Sequence, residues 1–211
     1  MRSLRDVRER WDETRRETLA EGMICDFIEA EVTTPQGSTM RRQWINHPGA
    51  VSIIVLDDDD RVAVVHQYRH PVHQRLVEPP AGILDVNGES PLDAARRELA
   101  EEAGLAAEEW YVLADLFVSP GGSDERLRVY LAQGISEAPR PDGFELSDEE
   151  SDMGLHWVPF DDLAEAVRNG EVQNPGMVTG VLALGFALAT GGVESLRPGD
   201  SPWPAHEAAV G

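Results

Sequence analysis

The sequence contains no lysine: all 18 of its basic residues are arginine, set against 39 aspartates and glutamates in 211 residues. Arginine offers a planar, permanently charged fork of donors that matches carboxylates and phosphates in pairs, so the positive charge here is fixed and directional. Genomic composition bias is the plainer origin of the same absence. Cys25 is the only cysteine, which excludes an internal disulfide. No apolar run approaches about 20 residues, and the opening MRSLRDVRERWDETRR lacks the hydrophobic stretch of a signal peptide. A cytoplasmic protein is therefore expected. Positive charge is short overall, the net being −21. Long-range repulsion at that charge opposes encounter with nucleic acid or an anionic membrane, and neither is expected as a partner.

What is present is a hydrophobic fraction of 41%, enough for one full domain and a small accessory one. The dense carboxylates can serve as a solvated face, or they can hold hard divalent cations where phosphate oxygens then sit.

Residues 1–48 carry short alternating stretches, MICDFIEAEV (23–32) and TMRRQWI (39–45), around the turn-prone TPQGS. Such a pattern predicts a small antiparallel sheet. From Gly49 to residue 190 a second domain is expected. AVSIIVL (50–56) and RVAVVHQYR (61–69) read as core strands joined by a DDDD hairpin. The Pro- and Gly-rich EPPAGILDVNGESP leads into LDAARRELAEEAG (92–104), a helix-forming run stopped by Gly104. Strands are expected at 111–119, 126–135 and 155–160, a mobile loop at 139–154, and helices at 161–170 and 175–190. The Pro- and Gly-rich tail, 191–211, is expected to be loosely held.

On the helix, Leu92, Ala95, Leu99 and Ala103 fall on one stripe, with Glu98, Glu101 and Glu102 about a quarter turn away. Glu98 and Glu102 stack on adjacent turns, where like charges repel by a few tenths of a kcal/mol unless something cationic intervenes. An exposed acidic helix balanced by Arg96 and Arg97 is one outcome; a divalent ion is the other.

The longer pattern decides between them. Gly82, Glu89 and then Arg97-Glu98-Leu99-Ala100-Glu101-Glu102-Ala103-Gly104-Leu105 resemble the Nudix box, G-x5-E-x7-R-E-U-x-E-E-x-G-U with U aliphatic. Every position from Glu89 to Leu105 matches in type and spacing; six residues rather than five separate Gly82 from Glu89. The resemblance implies an α+β fold, an α/β/α sandwich preceded by the small N-terminal antiparallel sheet. It also implies hydrolysis of a diphosphate with Mg²⁺ or Mn²⁺, two or more ions per site. By the same resemblance Glu98 and Glu102 are the leading metal ligands, Glu101 assists, and the carbonyl of Ala81 is a further ligand. Glu89 pairs with Arg97 to orient the loop, while Gly82 and Gly104 shape it.

Pro120, sixteen residues beyond Gly104 in SPGGSDE, is similar to the marker of ADP-ribose pyrophosphatases, although a Pro-Gly-Gly turn ending a strand needs no such role. ETLAEG (17–22), RRQW (41–44), HQYRHP (66–71) and EPPAG (78–82) extend the likeness to the bacterial members of that group, whose N-terminal sheets are exchanged in a homodimer. Carried over, Arg42 and Arg69 bind substrate, Glu125 contacts a ribose, and Glu149, with Glu150 beside it, is the candidate base on an acidic loop. Ordinary ion pairs remain the alternative for both arginines. The group's adenine-stacking aromatic has no clear counterpart near Met23 and Ile24. The expected reaction is ADP-ribose to AMP and ribose 5-phosphate. Another nucleotide sugar as substrate, and a non-catalytic ADP-ribose-binding module, are the rival readings.

Overall fold

A computed structural model of the chain describes residues 4–140 and 154–210. By internal contact it divides into two compact units, Met1–His47 with Ser119–Glu125, and Pro48–Val118 with Arg126–Gly211.

The first unit is built on an antiparallel sheet of β1 (Asp12–Ala20), β2 (Asp26–Thr33) and β3 (Thr39–Asn46), in that order. Alternation in β2 buries Ile28 and Ala30, as a period of two requires. Every residue of β1 is exposed, which explains why the hydrophobic pattern did not reveal this strand. Gly122, Ser123 and Asp124 bond near the end of β3: Ile45 N–H donates to the Gly122 carbonyl at 2.9 Å, the Ser123 hydroxyl to the Ile45 carbonyl at 3.2 Å, and His47 N–H to Asp124 at 2.7 Å.

In the second unit, β4 (Ala50–Val55) lies parallel to β9 (Arg126–Glu137) at the centre of a mixed sheet. β8 (Leu105–Phe117) flanks β9, and β7 (Ala81–Ile83) flanks β4. A second sheet joins β5 (Arg61–Arg69), β6 (Gln74–Glu78) and β10 (Leu155–Pro159), with β5 in the middle. Strand alternation sorts the core onto two faces. Val51, Ile53, Val55, Tyr130 and Ala132 pack with Ala94, Ala95 and Leu99 of α1 (Pro91–Ala103). Ile54, Leu127, Val129 and Leu131 pack with α2 (Phe160–Arg168) and α3 (Pro175–Thr190) through Leu163, Met177, Val181 and Leu184. The result is the expected α/β/α layering. Helix α3 approaches the sheet closely because Gly180 has no side chain: a Cβ there would overlap Ile54.

The tail departs from expectation. Residues Arg197–Pro198 form β11 against β8, Pro204–Val210 form α4, and Trp203 is 4% exposed. A buried charge provides the reason. Arg128, on β9 and 2% exposed, donates to both oxygens of Asp115 at 2.6 and 3.1 Å, and to the carbonyls of Ser201 and Pro202 at 2.7 and 3.1 Å. Its guanidinium also lies 4.9 Å from the Trp203 ring centroid. A buried cation demands such partners, and composition alone did not disclose that the tail supplies them.

Candidate active site

Helix α1 is fixed at both ends. The Ser90 hydroxyl caps its N-terminus by accepting from Asp93 N–H at 3.1 Å, and Pro91 occupies the first turn, where no amide donor is needed. Gly104 ends it in the left-handed conformation (φ 66°), its N–H donating to the Ala100 carbonyl at 3.0 Å. With Ala94, Ala95 and Leu99 buried, the neighbouring face carrying Glu98, Glu101 and Glu102 is turned toward β7.

Arg97 organises that face. Its guanidinium donates to both oxygens of Glu89 at 3.0 Å, to Glu98 at 2.7 Å and to Glu101 at 3.0 Å. A single cation thus gathers three carboxylates, and charge-assisted bonds of this kind are the stronger class. Bonding to Glu89 first, then the charge of Glu98, holds Arg97 above its usual value despite partial burial. Glu102 turns the other way and accepts from Ala81 N–H on β7 at 2.9 Å. Strand and helix touch at Gly82, where a Cβ would overlap the Glu98 carboxylate. The residue added between Gly82 and Glu89 is taken up in a turn, with Gly88 at φ 82° and Glu89 N–H donating to the Val86 carbonyl at 3.2 Å. The bidentate Glu89–Arg97 contact is intact.

Glu98 is electrostatically distinct. Burial pushes its carboxyl up to about 7 even though Arg97 pulls it down, and Glu101 and Asp85 add to the rise. One guanidinium does not compensate this group of carboxylates. The donor set is all oxygen, clustered on one helix face and short of positive charge, which suits a hard divalent cation. Among the described residues no three of His, Cys, Asp and Glu stand close enough to hold an ion as they lie, since Arg97 engages Glu98 and Glu101 and the amide of Ala81 engages Glu102.

The structure therefore brings together Ala81, Gly82, Glu89, Arg97, Glu98, Glu101, Glu102 and Gly104. Arg69 stands at the end of β5 in the other sheet, where it donates to Glu78 from Nε at 3.0 and 3.2 Å and from a terminal nitrogen at 2.6 Å. Glu78, at 2% exposed, is the buried partner that sequence reading passed over; its signal was a carboxylate ending the otherwise apolar step Leu76-Val77. Arg42 (on β3), Pro120 and Glu125 belong to the first unit. The Arg42 guanidinium donates to the Arg41 carbonyl at 3.0 Å, Pro120 is exposed, and Glu125 N–H donates to the Ser123 hydroxyl at 3.0 Å. Glu149 and Glu150 lie outside the described residues. No helix among the described residues is long and apolar enough to cross a membrane.

Comparison with known proteins places this arrangement. The NUDIX domain model matches residues 46–177. The chain is 45% identical over 187 residues to an ADP-ribose pyrophosphatase of Mycobacterium tuberculosis, covering 89% of this chain and 88% of that protein. It is 34% identical over 159 residues to an ADP-ribose pyrophosphatase of Bacillus subtilis, covering 74% and 83%. The solved structure of an ADP compounds hydrolase shares the fold, with TM-score 0.70 at 16% identity, covering 89% of this chain and 99% of the other. With Glu89 through Leu105 folded as a capped helix whose carboxylates meet the Ala81–Gly82 strand, the chain belongs to the NUDIX family.

Proposed function

We propose that this protein hydrolyses the diphosphate of ADP-ribose: ADP-ribose and water give AMP and ribose 5-phosphate. The observation that carries the diphosphate chemistry is the face of α1, where three carboxylates share the single cation Arg97 and Glu98 remains under-compensated. The choice of ADP-ribose is supported by the two ADP-ribose pyrophosphatases that the chain resembles over most of its length.

Pyrophosphatases of this family depend on a divalent metal. In this chain Glu98 and Glu102, assisted by Glu101 and the Ala81 carbonyl, are the groups assigned to hold Mg²⁺ or Mn²⁺, two or more ions per site. When bound, such ions neutralise charge developing on the phosphate oxygens and make water more acidic. The remaining work falls to the protein. Glu89 fixes Arg97, and Arg97 aims Glu98 and Glu101, so the carboxylates are oriented before substrate arrives. Ala81 N–H holds Glu102 against the strand. Glu149, with Glu150 beside it, is assigned as the base that takes the proton from the attacking water. Arg42 and Arg69 are assigned to the substrate, whose phosphates match the guanidinium fork, with Glu125 at a ribose and Pro120 shaping the same segment. A homodimer exchanging the N-terminal sheet of residues 1–48 and a cytoplasmic location complete the proposal.

The test is chromatography of ADP-ribose, other nucleotide sugars and dinucleotides incubated with purified protein and Mg²⁺ or Mn²⁺. Metal-dependent appearance of AMP and ribose 5-phosphate, at a higher rate than any other substrate, is expected. Intact ADP-ribose alongside consumption of another nucleotide sugar would transfer the same chemistry to that substrate. Binding of ADP-ribose without turnover would make the chain a sensor.

A further inference from the structure

The turn between β5 and β6 gathers three side chains that the hydrolytic site does not use. His70–Val72 is one turn of 3-10 helix with Pro71 inside it, and His73 follows in the left-handed conformation (φ 54°), its N–H donating to the His70 carbonyl at 3.2 Å. Residues three apart eclipse in such a turn, so the two imidazoles stand on the same side, their ring centroids 5.0 Å apart and edge-on. Both then point a nitrogen at one atom. The Tyr68 hydroxyl oxygen lies 3.3 Å from His70 Nδ1 and 3.5 Å from His73 Nδ1.

We propose that Tyr68, His70 and His73 form a binding site for a borderline divalent transition-metal ion such as Zn²⁺, separate from the carboxylate face of α1. The donor chemistry separates the two places. Imidazole nitrogen favours Zn²⁺, Ni²⁺ and Cu²⁺, whereas carboxylates and carbonyls favour Mg²⁺ and Mn²⁺. Two Nδ1 atoms and one phenol oxygen supply three ligands, and water takes the fourth, open position of a tetrahedral ion. No third His, Cys, Asp or Glu completes the set among the described residues. The histidines coordinate as neutral imidazoles, and the phenol gives up its proton to solvent as its oxygen binds, so each ion bound releases about one proton. Pro71 and the closed turn hold the two rings together before the ion arrives, which limits the ordering cost of binding. Both histidines are exposed, leaving the site open to an ion from solution.

Calorimetric titration of the full-length protein with Zn²⁺ in excess Mg²⁺ tests this. One site per chain is expected, with affinity reduced at least tenfold in His70→Gln and in His73→Asn. Asparagine is chosen because it tolerates the left-handed backbone at position 73. The Tyr68→Phe variant is expected to lose the buffer-dependent part of the binding heat that reports proton release, while Glu98→Gln leaves Zn²⁺ affinity unchanged. Melting temperatures of the variants establish that they fold. Equal Zn²⁺ binding by wild type and a folded His70→Gln/His73→Asn double variant overturns the proposal, as does loss of binding in Glu98→Gln instead.

Discussion

Arg97 and Glu89 are joined by two hydrogen bonds of 3.0 Å across the turn that precedes α1. The same guanidinium continues to Glu98 and Glu101, so one arginine sets both the entrance to the helix and the aim of its carboxylates. Replacing it with lysine keeps the charge and discards the fork. Arg97→Lys is expected to cost about 1.5–3 kcal/mol of stability, the range for hydrogen bonds to charged groups, and to lower kcat more than it raises KM. Urea unfolding and steady-state kinetics measure both; a variant with wild-type kcat would show that the carboxylates need no such aiming.

Glu102→Gln retains an oxygen that can accept from Ala81 N–H, so the strand and helix stay joined while the negative charge is lost. Turnover is expected to fall by at least about 100-fold, the upper range for mere supporting groups around a metal, with little change in melting temperature. Unchanged turnover would remove Glu102 from the ligand set.

Glu98 gives the apo protein a pH dependence of definite sign. Its folded value, about 7, lies above its ordinary value of 4.5. Its contribution to stability is complete below about pH 4.5 and is lost as pH rises through about 7. A divalent cation favours the ionised form, so the rise in melting temperature on adding Mg²⁺ should grow between about pH 5.5 and about pH 8.5. A Mg²⁺ effect that is constant over this range would contradict the placement of Glu98 at the metal.

At the tail, Trp203 is 4% exposed and lies against Arg128. Trp203→Ala is expected to destabilise by about 3–5 kcal/mol, as large aromatic deletions in a core do. Chemical denaturation would register it, and a loss under 1 kcal/mol would mean that the segment after Gly199 is dispensable to the fold.

Gly180→Ala places a methyl group against Ile54 where α3 comes close to the sheet. Overpacking of this kind costs about 1–3 kcal/mol, readable as a lowered melting temperature with the activity of the remaining folded protein preserved.

The helix and its carboxylates were legible in the sequence because three independent patterns coincide there: the apolar stripe through Ala95 and Leu99, the stop at Gly104 and the spacing from Glu89 to Leu105. The strands at 50–56, 61–69 and 126–135 were legible for a related reason, since a sheet covered on both faces requires near-continuous apolar runs. β1 was not, because a strand exposed along its whole length carries no burial signal. Nor were the pairs Arg69–Glu78 and Arg128–Asp115, or the hold of Arg128 on residues 201 and 202. These join residues 9, 13 and more than 70 positions apart, and no local pattern reports which charge will meet which. The tail was misjudged on the same account: its prolines and glycines describe the backbone, while its retention depends on a cation on β9.

That cation also bears on what can be cut away from the protein. Arg128 sits on β9, between β8 and β4 in the sheet, yet two of the carbonyls it donates to belong to Ser201 and Pro202. A cut before Ser201 would take both acceptors from a guanidinium that is 2% exposed, and a buried donor stripped of its acceptors is costly. The segment at 201–202 is thus a plug for the middle of the sheet, and proteolysis far from α1 would be felt on β9.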